Sequence, residues 1–366
     1  MSGILLSNER PARQAVRLGL GVIITFVLAQ LYQWPVANLA AAFTVVILQE
    51  PAPMSLRQGW KAFWVSAGFV LTGGLATLIL SPWPVLLVII MAFLFYWMFI
   101  FVIGAGATIL EIVAALVAFT IVPVLVLVLP EVGFTAIWGF LIGYAVSILA
   151  SWFAWMCIPL LAPPPAAHHE AFTEEALKSL ALTLSIVMTT LMALFLTFGW
   201  SQILVLIYAA LFVLGLDLKA GRQMGFNYII ANVVYGGTAI LITYELLVMA
   251  PNFILMVVTV FFLACVFGYG TFRHGSTEDF WNSGTFGFLI VMGDLLIKDN
   301  AFSTQALVGR VWQLVLATAY ITLAFSMAEM IKSWRRRRRS IVSPPVQALA
   351  SETGTSKPEN PNRLRG

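Results

Sequence analysis

The sequence predicts an all-α polytopic membrane protein of about twelve transmembrane helices, arranged as two parallel six-helix repeats. Three observations lead there. Hydrophobic residues fill 61% of the 366 positions and charged residues only 10%, against about 45–50% and about 25% in a soluble domain. Apolar runs of membrane-crossing length follow one another, with no soluble block between them large enough to be a domain. A polar loop also occurs twice, as Gln49-Glu-Pro-Ala-Pro-Met-Ser-Leu-Arg57-Gln-Gly-Trp-Lys61 and as Gly215-Leu-Asp-Leu-Lys-Ala-Gly-Arg222-Gln-Met-Gly-Phe-Asn227. Each copy follows an unusually short apolar segment and a tryptophan, Trp34 or Trp200, and leads into a run holding a glycine pair, Gly73-Gly74 or Gly236-Gly237.

Taken in order, Arg10, Arg13 and Arg17 ahead of Leu18–Leu31 imitate a secretory signal. The run leads at once into a second apolar segment, with no small-x-small cleavage site between, so the expectation is a first membrane helix. The first half then reads Val16–Leu31, Val36–Leu48, Ala62–Leu80, Val85–Val102, Ala107–Leu129 and Phe134–Leu161. A Pro-rich linker carries His168, His169 and Glu170. The second half reads Leu180–Phe198, Ile203–Leu216, Phe226–Met249, Phe253–Tyr269, Phe280–Met292 and Leu307–Ile331. Period-2 alternation, which a membrane barrel requires, is absent. The domain layout that follows is 1–161 and 176–334 as the two membrane repeats, 162–175 as a cytoplasmic linker, and 335–366 as a basic, disordered tail.

With twelve spans, all of the 20 Lys and Arg except Lys298 and Arg310 fall on one side, the asymmetry of the positive-inside rule. Both termini are therefore expected in the cytoplasm, and an even number of spans per half makes the two repeats parallel. The Arg335–Arg339 run reads as a membrane-surface anchor attracted to anionic lipids rather than a nucleic-acid site.

The second and eighth segments carry the clearest functional signal. A helix of that length reaches only about 20 Å, and short or Pro/Gly-broken segments at matching places in two halves point to a transporter's binding site. The plainer alternative is a short helix held by Trp and Arg anchors in a thinned membrane. Ser55 is placed to N-cap the third helix, with Arg57 in its first turn and Arg222 as its counterpart. An arginine beside unpaired helix N–H groups suits an anion, and the guanidinium fork suits a carboxylate; the alternative is that both only enforce topology. Glu111 lies about a turn inside the fifth span. Intramembrane carboxylates are rare and often carry protons, although a first-turn acid also complements the helix dipole. Glu245 and Glu329 read as interfacial. His274 and Glu278 at helical spacing, and the His168-His169-Glu170 cluster, lack a full metal ligand set, and Cys157 and Cys265 sit in apolar runs, so neither a metal, a disulfide nor a cofactor is expected. No P-loop or GxSxG motif is present, and an enzyme is not expected. Gly139-x-x-x-Gly143 reads as helix packing.

Arg10-x-x-Arg13-x-Ala-Val-Arg17, Trp34-Pro35, Gln49-Glu-Pro and Arg57 before a glycine-bearing helix together resemble the fusaric acid resistance and aromatic acid exporter family, as a short branch lacking the large cytoplasmic domain of its better-known members. The resemblance implies a bacterial inner-membrane efflux pump for aromatic carboxylic acids, driven by protons and working with a periplasmic adaptor of the membrane-fusion type; plant relatives include malate-conducting channels. It carries over to Arg57 and, through the repeat, to Arg222. The functional expectation is an exporter of small organic anions in contact with membrane lipids. Arg57, Arg222, Gln58 and Gln223 would stand at the mouth, Trp34 and Trp200 would stack on the substrate, and Glu111 would carry the proton. A passive anion channel and a non-transporting subunit of an export complex are the alternatives, with homo-oligomerisation left open.

Overall fold

The computed structural model describes residues 11–34, 36–104, 109–128, 130–159, 174–198, 230–273 and 278–297, with short runs of one to three residues between 308 and 333. Among the described residues all regular structure is helical. The helices are α1 Pro11–Tyr32, α2 Asn38–Leu48, α3 Leu56–Leu80, α4 Pro84–Gly104, α5 Ile109–Val128, α6 Pro130–Cys157 and α7 Glu174–Phe198. A π-helical turn at Ala231–Gly236 then runs into α8 Gly237–Met249, followed by α9 Phe253–Phe272 and α10 Glu278–Ile297. The eighth apolar segment and the linker lie outside the described residues. The chain divides at Phe325. In the second unit, Ser326, Met327, Met330 and Ser333 are helical, and Ser333 Oγ donates to the Met330 carbonyl at 2.8 Å.

Six helices are long and apolar enough to cross a membrane: Pro11–Tyr32, Leu56–Leu80, Pro84–Phe101, Gly133–Cys157, Leu177–Phe198 and Phe253–Phe272. Their outward faces are apolar rather than charged. Trp60, Trp64, Leu75, Ile79, Trp83 and Trp97 are all exposed, a surface that water would not tolerate at this extent. Trp60 and Trp64 mark one end of α3 and Trp83 follows the other, the placement of interfacial aromatic anchors. The chain is an all-α membrane protein.

The inside is built on small residues. Gly19 of α1 faces Cys265 of α9, where an added Cβ would lie 2.5 Å from Sγ, and Ala15 packs on Gly268. The two helices therefore run antiparallel at close range, and α4 lies along α7. α2 is the most enclosed element. Every residue from Leu39 to Leu48 is buried, sheathed by α1, α6 and α10. The turn into it is tight: Gln33 (φ 46°) and Val36 (φ 54°) both occupy the left-handed region, which a β-branched valine adopts only under constraint.

Observed helix ends differ from the predicted spans by a few residues in a consistent way. α1 and α7 begin earlier than the apolar runs, at Pro11 and Glu174, because helix propensity continues into polar sequence that no longer contacts lipid. Arg13 and Arg17 are thereby inside α1 rather than ahead of it, which corrects the expectation that they flank the membrane helix. α6 stops at Cys157, short of the predicted Leu161, before the proline-rich linker.

Candidate functional site

The site is set by how closely α3, α5 and α6 cross. Gly73 of α3 meets the Ala118 carbonyl oxygen of α5, so no side chain fits between the two backbones. Gly74 touches Ile137 of α6, and Gly59 touches the ring of Trp152, where an added Cβ would lie 2.7 Å from Cζ2. These contacts fix the register. α3 and α5 run the same way, so equal steps back from Gly73 to Ser66 and from Ala118 to Glu111 bring those two side chains to one level. α6 runs the other way, and between Ile137 and Trp152 it presents Tyr144 at that same level. The Tyr144 and Phe63 rings are 6.5 Å apart, and Phe63 shares its face of α3 with Ser66.

Three polar groups from three helices therefore meet inside the bundle. Ser66 and Tyr144 are 0% exposed and Glu111 is 7% exposed. The Tyr144 hydroxyl lies beside Ser66 and within the electrostatic reach of Glu111. Neither hydroxyl reaches hydrogen-bond geometry with a partner among the described residues. Around them the wall is aromatic: Phe43 stands edge-on to Tyr144 at 5.6 Å and Phe140 stacks on it at 6.3 Å. Such a wall supplies no acceptor or donor, so the hydroxyls are left to each other, to the acid or to a bound group.

A second polar set sits at the end of the bundle where α1 begins. Arg17 is 2% exposed, with its guanidinium 3.4 Å above the Trp155 ring centroid. Its Nη1 donates to the Ile158 carbonyl at 3.2 Å, and Arg13 Nη2 donates to the Pro159 carbonyl at 2.8 Å. Two arginines thus cap the C-terminal end of α6, where unpaired carbonyls and the helix dipole favour cations. At the same end Gln49 Nε2 donates to Asn282 Oδ1 of α10 at 2.5 Å, and the neighbouring Ser283 accepts from Asn232 Nδ2 in the π-turn. Sequence reasoning missed Arg17 and Tyr144 as site residues. Nothing in their immediate sequence marks them, because their partners Trp155, Ile158 and Ser66 are distant in the chain.

The predicted residues are not all brought together. Ser55 caps α3 as expected, and the cap is a full capping box in which Gln58 Oε1 accepts from the Ser55 N–H at 2.9 Å. Gln58 is thus engaged with its own helix start. Arg57 beside it is exposed. Trp34 is buried, its Nε1 against Gly143 of α6, whereas the Met54 carbonyl just before Ser55 accepts from Trp152 Nε1 of the same helix at 2.8 Å. Gly143 and Trp152 are more than two turns apart, so Trp34 and the Arg57 loop contact α6 about 13 Å apart along its axis. Glu111 is buried in the first turn of α5. Trp200, Arg222 and Gln223 lie outside the described residues, as do His168, His169, Glu170 and His274. Glu245 is exposed near the end of α8. Gly143 of the Gly139-x-x-x-Gly143 motif packs against Ala40 as well as Trp34. Cys157 and Cys265 are free thiols, and among the described residues no group of three or more His, Cys, Asp or Glu side chains could hold a metal ion. In comparisons with known proteins, no family model, no curated protein and no solved structure matches this chain.

Proposed function

We propose that the chain is a proton-coupled exporter of small organic anions, aromatic carboxylic acids in the first instance, as its resemblance to the fusaric acid resistance and aromatic acid exporter family implies. The observation that carries this reading is the Glu111 carboxyl, enclosed with Ser66 and Tyr144 at a three-helix crossing of a membrane protein. An ionisable side chain in that setting is costly, and proton transport is a common reason for one. On this reading Glu111 carries the proton. Arg57, exposed at the start of α3, and its counterpart Arg222 attract the carboxylate at the cytoplasmic mouth. Trp34 would have to leave its packing on Gly143 to stack on a ring, so the reading rests on the arginines and the acid. The basic residues crowd one side of the proposed topology, which favours cytoplasmic termini; the inner-membrane setting and a periplasmic adaptor rest on the resemblance.

Twelve spans in two parallel halves form part of the same proposal, supported by reciprocal packing. α1, first of its half, lies along α9, which the proposed order makes the fourth of the other half, and α7 lies along α4. Gly73 and Gly236, one from each glycine pair, both face backbone of the fifth helix of their own half, at Ala118 and at Gly284.

The test is efflux of labelled aromatic acids from exporter-deficient bacteria expressing the chain with a candidate adaptor. Uphill, uncoupler-sensitive loss of an acid is expected. Loss only down the gradient would mean a passive anion channel instead. No loss of any acid, with insertion verified, would leave a non-transporting subunit as the better reading.

A further inference from the structure

We propose that Tyr144 and Ser66 are positioning residues of a proton-binding site on Glu111, two hydroxyls from α6 and α3 that hold the carboxyl of α5 in both of its protonation states. The inference rests on the reading of Glu111 as the proton carrier. Its own support is that, of the four buried hydroxyls without a partner among the described residues (Ser66, Thr120, Tyr144 and Thr189), Ser66 and Tyr144 stand at one level with a buried carboxyl, whereas most others inside the bundle are satisfied locally. Thr25, Thr44, Thr77, Ser147, Ser151 and Thr243 each bond back to a carbonyl of their own helix. On α3 itself, Thr72 and Thr77 do so at 2.7 Å, the usual way a hydroxyl is satisfied in a membrane helix. Ser66 does not, and Tyr144 has no partner among the described residues either.

A buried hydroxyl without a partner costs about 1–3 kcal/mol, and the Tyr144 and Ser66 hydroxyls, close enough to share one hydrogen bond with each other, still leave one proton between them in need of an acceptor. Glu111 supplies it. A small shift of the side chains, which are not within bonding geometry of the acid in this structure, would let the carboxylate accept from both hydroxyls. When it gains one proton, its own O–H donates to one hydroxyl oxygen while its carbonyl still accepts from the other. Tyr144 and Ser66 keep their protons throughout, so the site exchanges a single proton with water through Glu111 and needs no other reactant. Because the three groups belong to three helices, the geometry of the acid is tied to the crossing of α3, α5 and α6, which is where a coupled conformational change would be felt.

The experiment is infrared difference spectroscopy, acidic minus alkaline buffer, on the full chain in phosphatidylcholine vesicles. The protonated-carboxyl C=O band of Glu111 is identified by its loss in E111Q. Y144F and S66A are expected to move that band to higher wavenumber, as the carbonyl loses a donor, with Y144F the larger. T120A, which removes a fully buried hydroxyl on the opposite face of α5, is expected to leave it in place. If Y144F and S66A retain native helical content and the band does not move, the two residues do not position the acid and the proposal fails, while the proton-carrier reading stands. A T120A shift as large as that of Y144F would also overturn it, by showing that any lost hydroxyl perturbs the band. Should E111Q keep the whole band, Glu111 takes up no proton and both readings fall. S66A alone decides the matter if Y144F does not fold.

Discussion

The α3–α5 crossing and the crossing of the π-turn with α10 are built alike and furnished differently. Each has a glycine against backbone of the other helix: Gly73 at Ala118, and Gly236 at Gly284. Beside the first crossing stand the buried Thr77 and Thr120, and two turns along, about 10 Å, an acid, a phenol and a serine, the last two hydroxyls without partners among the described residues. At the second the nearby polar groups are neutral. The Asn232 amide donates to Ser283, and Gly287 leaves room for Asn232 Oδ1, which an added Cβ there would approach to 2.5 Å. Glycine supplies the close approach in both, so the approach itself is structural. What differs is whether the buried polarity can change its charge, and only the first crossing can.

That difference can be broken most sharply at Glu111. E111Q should abolish uphill efflux and leave downhill flux, because the side chain keeps its shape and loses its proton. N232L, at the second crossing, should keep efflux coupled to the gradient while costing about 1–3 kcal/mol of stability, since Ser283 loses its donor. Both are read from paired efflux and denaturant-unfolding measurements, and loss of coupling in N232L would erase the distinction. Next in size is G73A, expected to cost about 1–3 kcal/mol by overpacking against backbone that cannot yield. G236A should cost less, because its Cβ would stand 3.2 Å from the Gly284 oxygen; equal losses would mean that the two crossings are equally tight. Q58A should lower stability by about 1 kcal/mol through loss of the capping box without changing which acids are exported. Smallest in stability is R57A, within about 0.5 kcal/mol for an exposed side chain, and its effect should appear instead as weaker apparent affinity for the exported acid.

Much of the fold was legible because the sequence carries its signals locally. Membrane spans follow from apolar runs, and the α3 cap from Ser55 and Gln58 three residues apart. The site was legible only where a residue is unusual by itself. A carboxylate in an apolar run stands out, and Glu111 is buried in the first turn of α5. Tyr144 was not legible, because a tyrosine among Gly143, Ala145 and Val146 looks like any span residue until Ser66 and Phe63 are packed beside it. Arg17 was misplaced for the opposite reason. A basic residue beside an apolar run reads as a charge in water, and only the end of α6, with Trp155 and the Ile158 carbonyl, makes a buried place for it. The loop pairing placed Trp34 and Arg57 in one site through their order in the chain, but α2 lies between them and separates them in space.

The complete enclosure of α2 bears on how the protein is made. α2 is 11 residues long, about 16 Å of helix, too short to span the bilayer core by itself. Its cover is delivered late: α1 precedes it, α6 follows four helices later, and α10 comes from the far half of the chain. At ordinary rates of synthesis the interval between α2 and α10 leaving the ribosome is on the order of ten seconds or more. Through that interval α2 is an unfinished interior surface inside a membrane, shielded on one side by α1. The cell's insertion machinery therefore has a defined substrate in this chain, a short helix that must be sheltered until its last neighbour arrives.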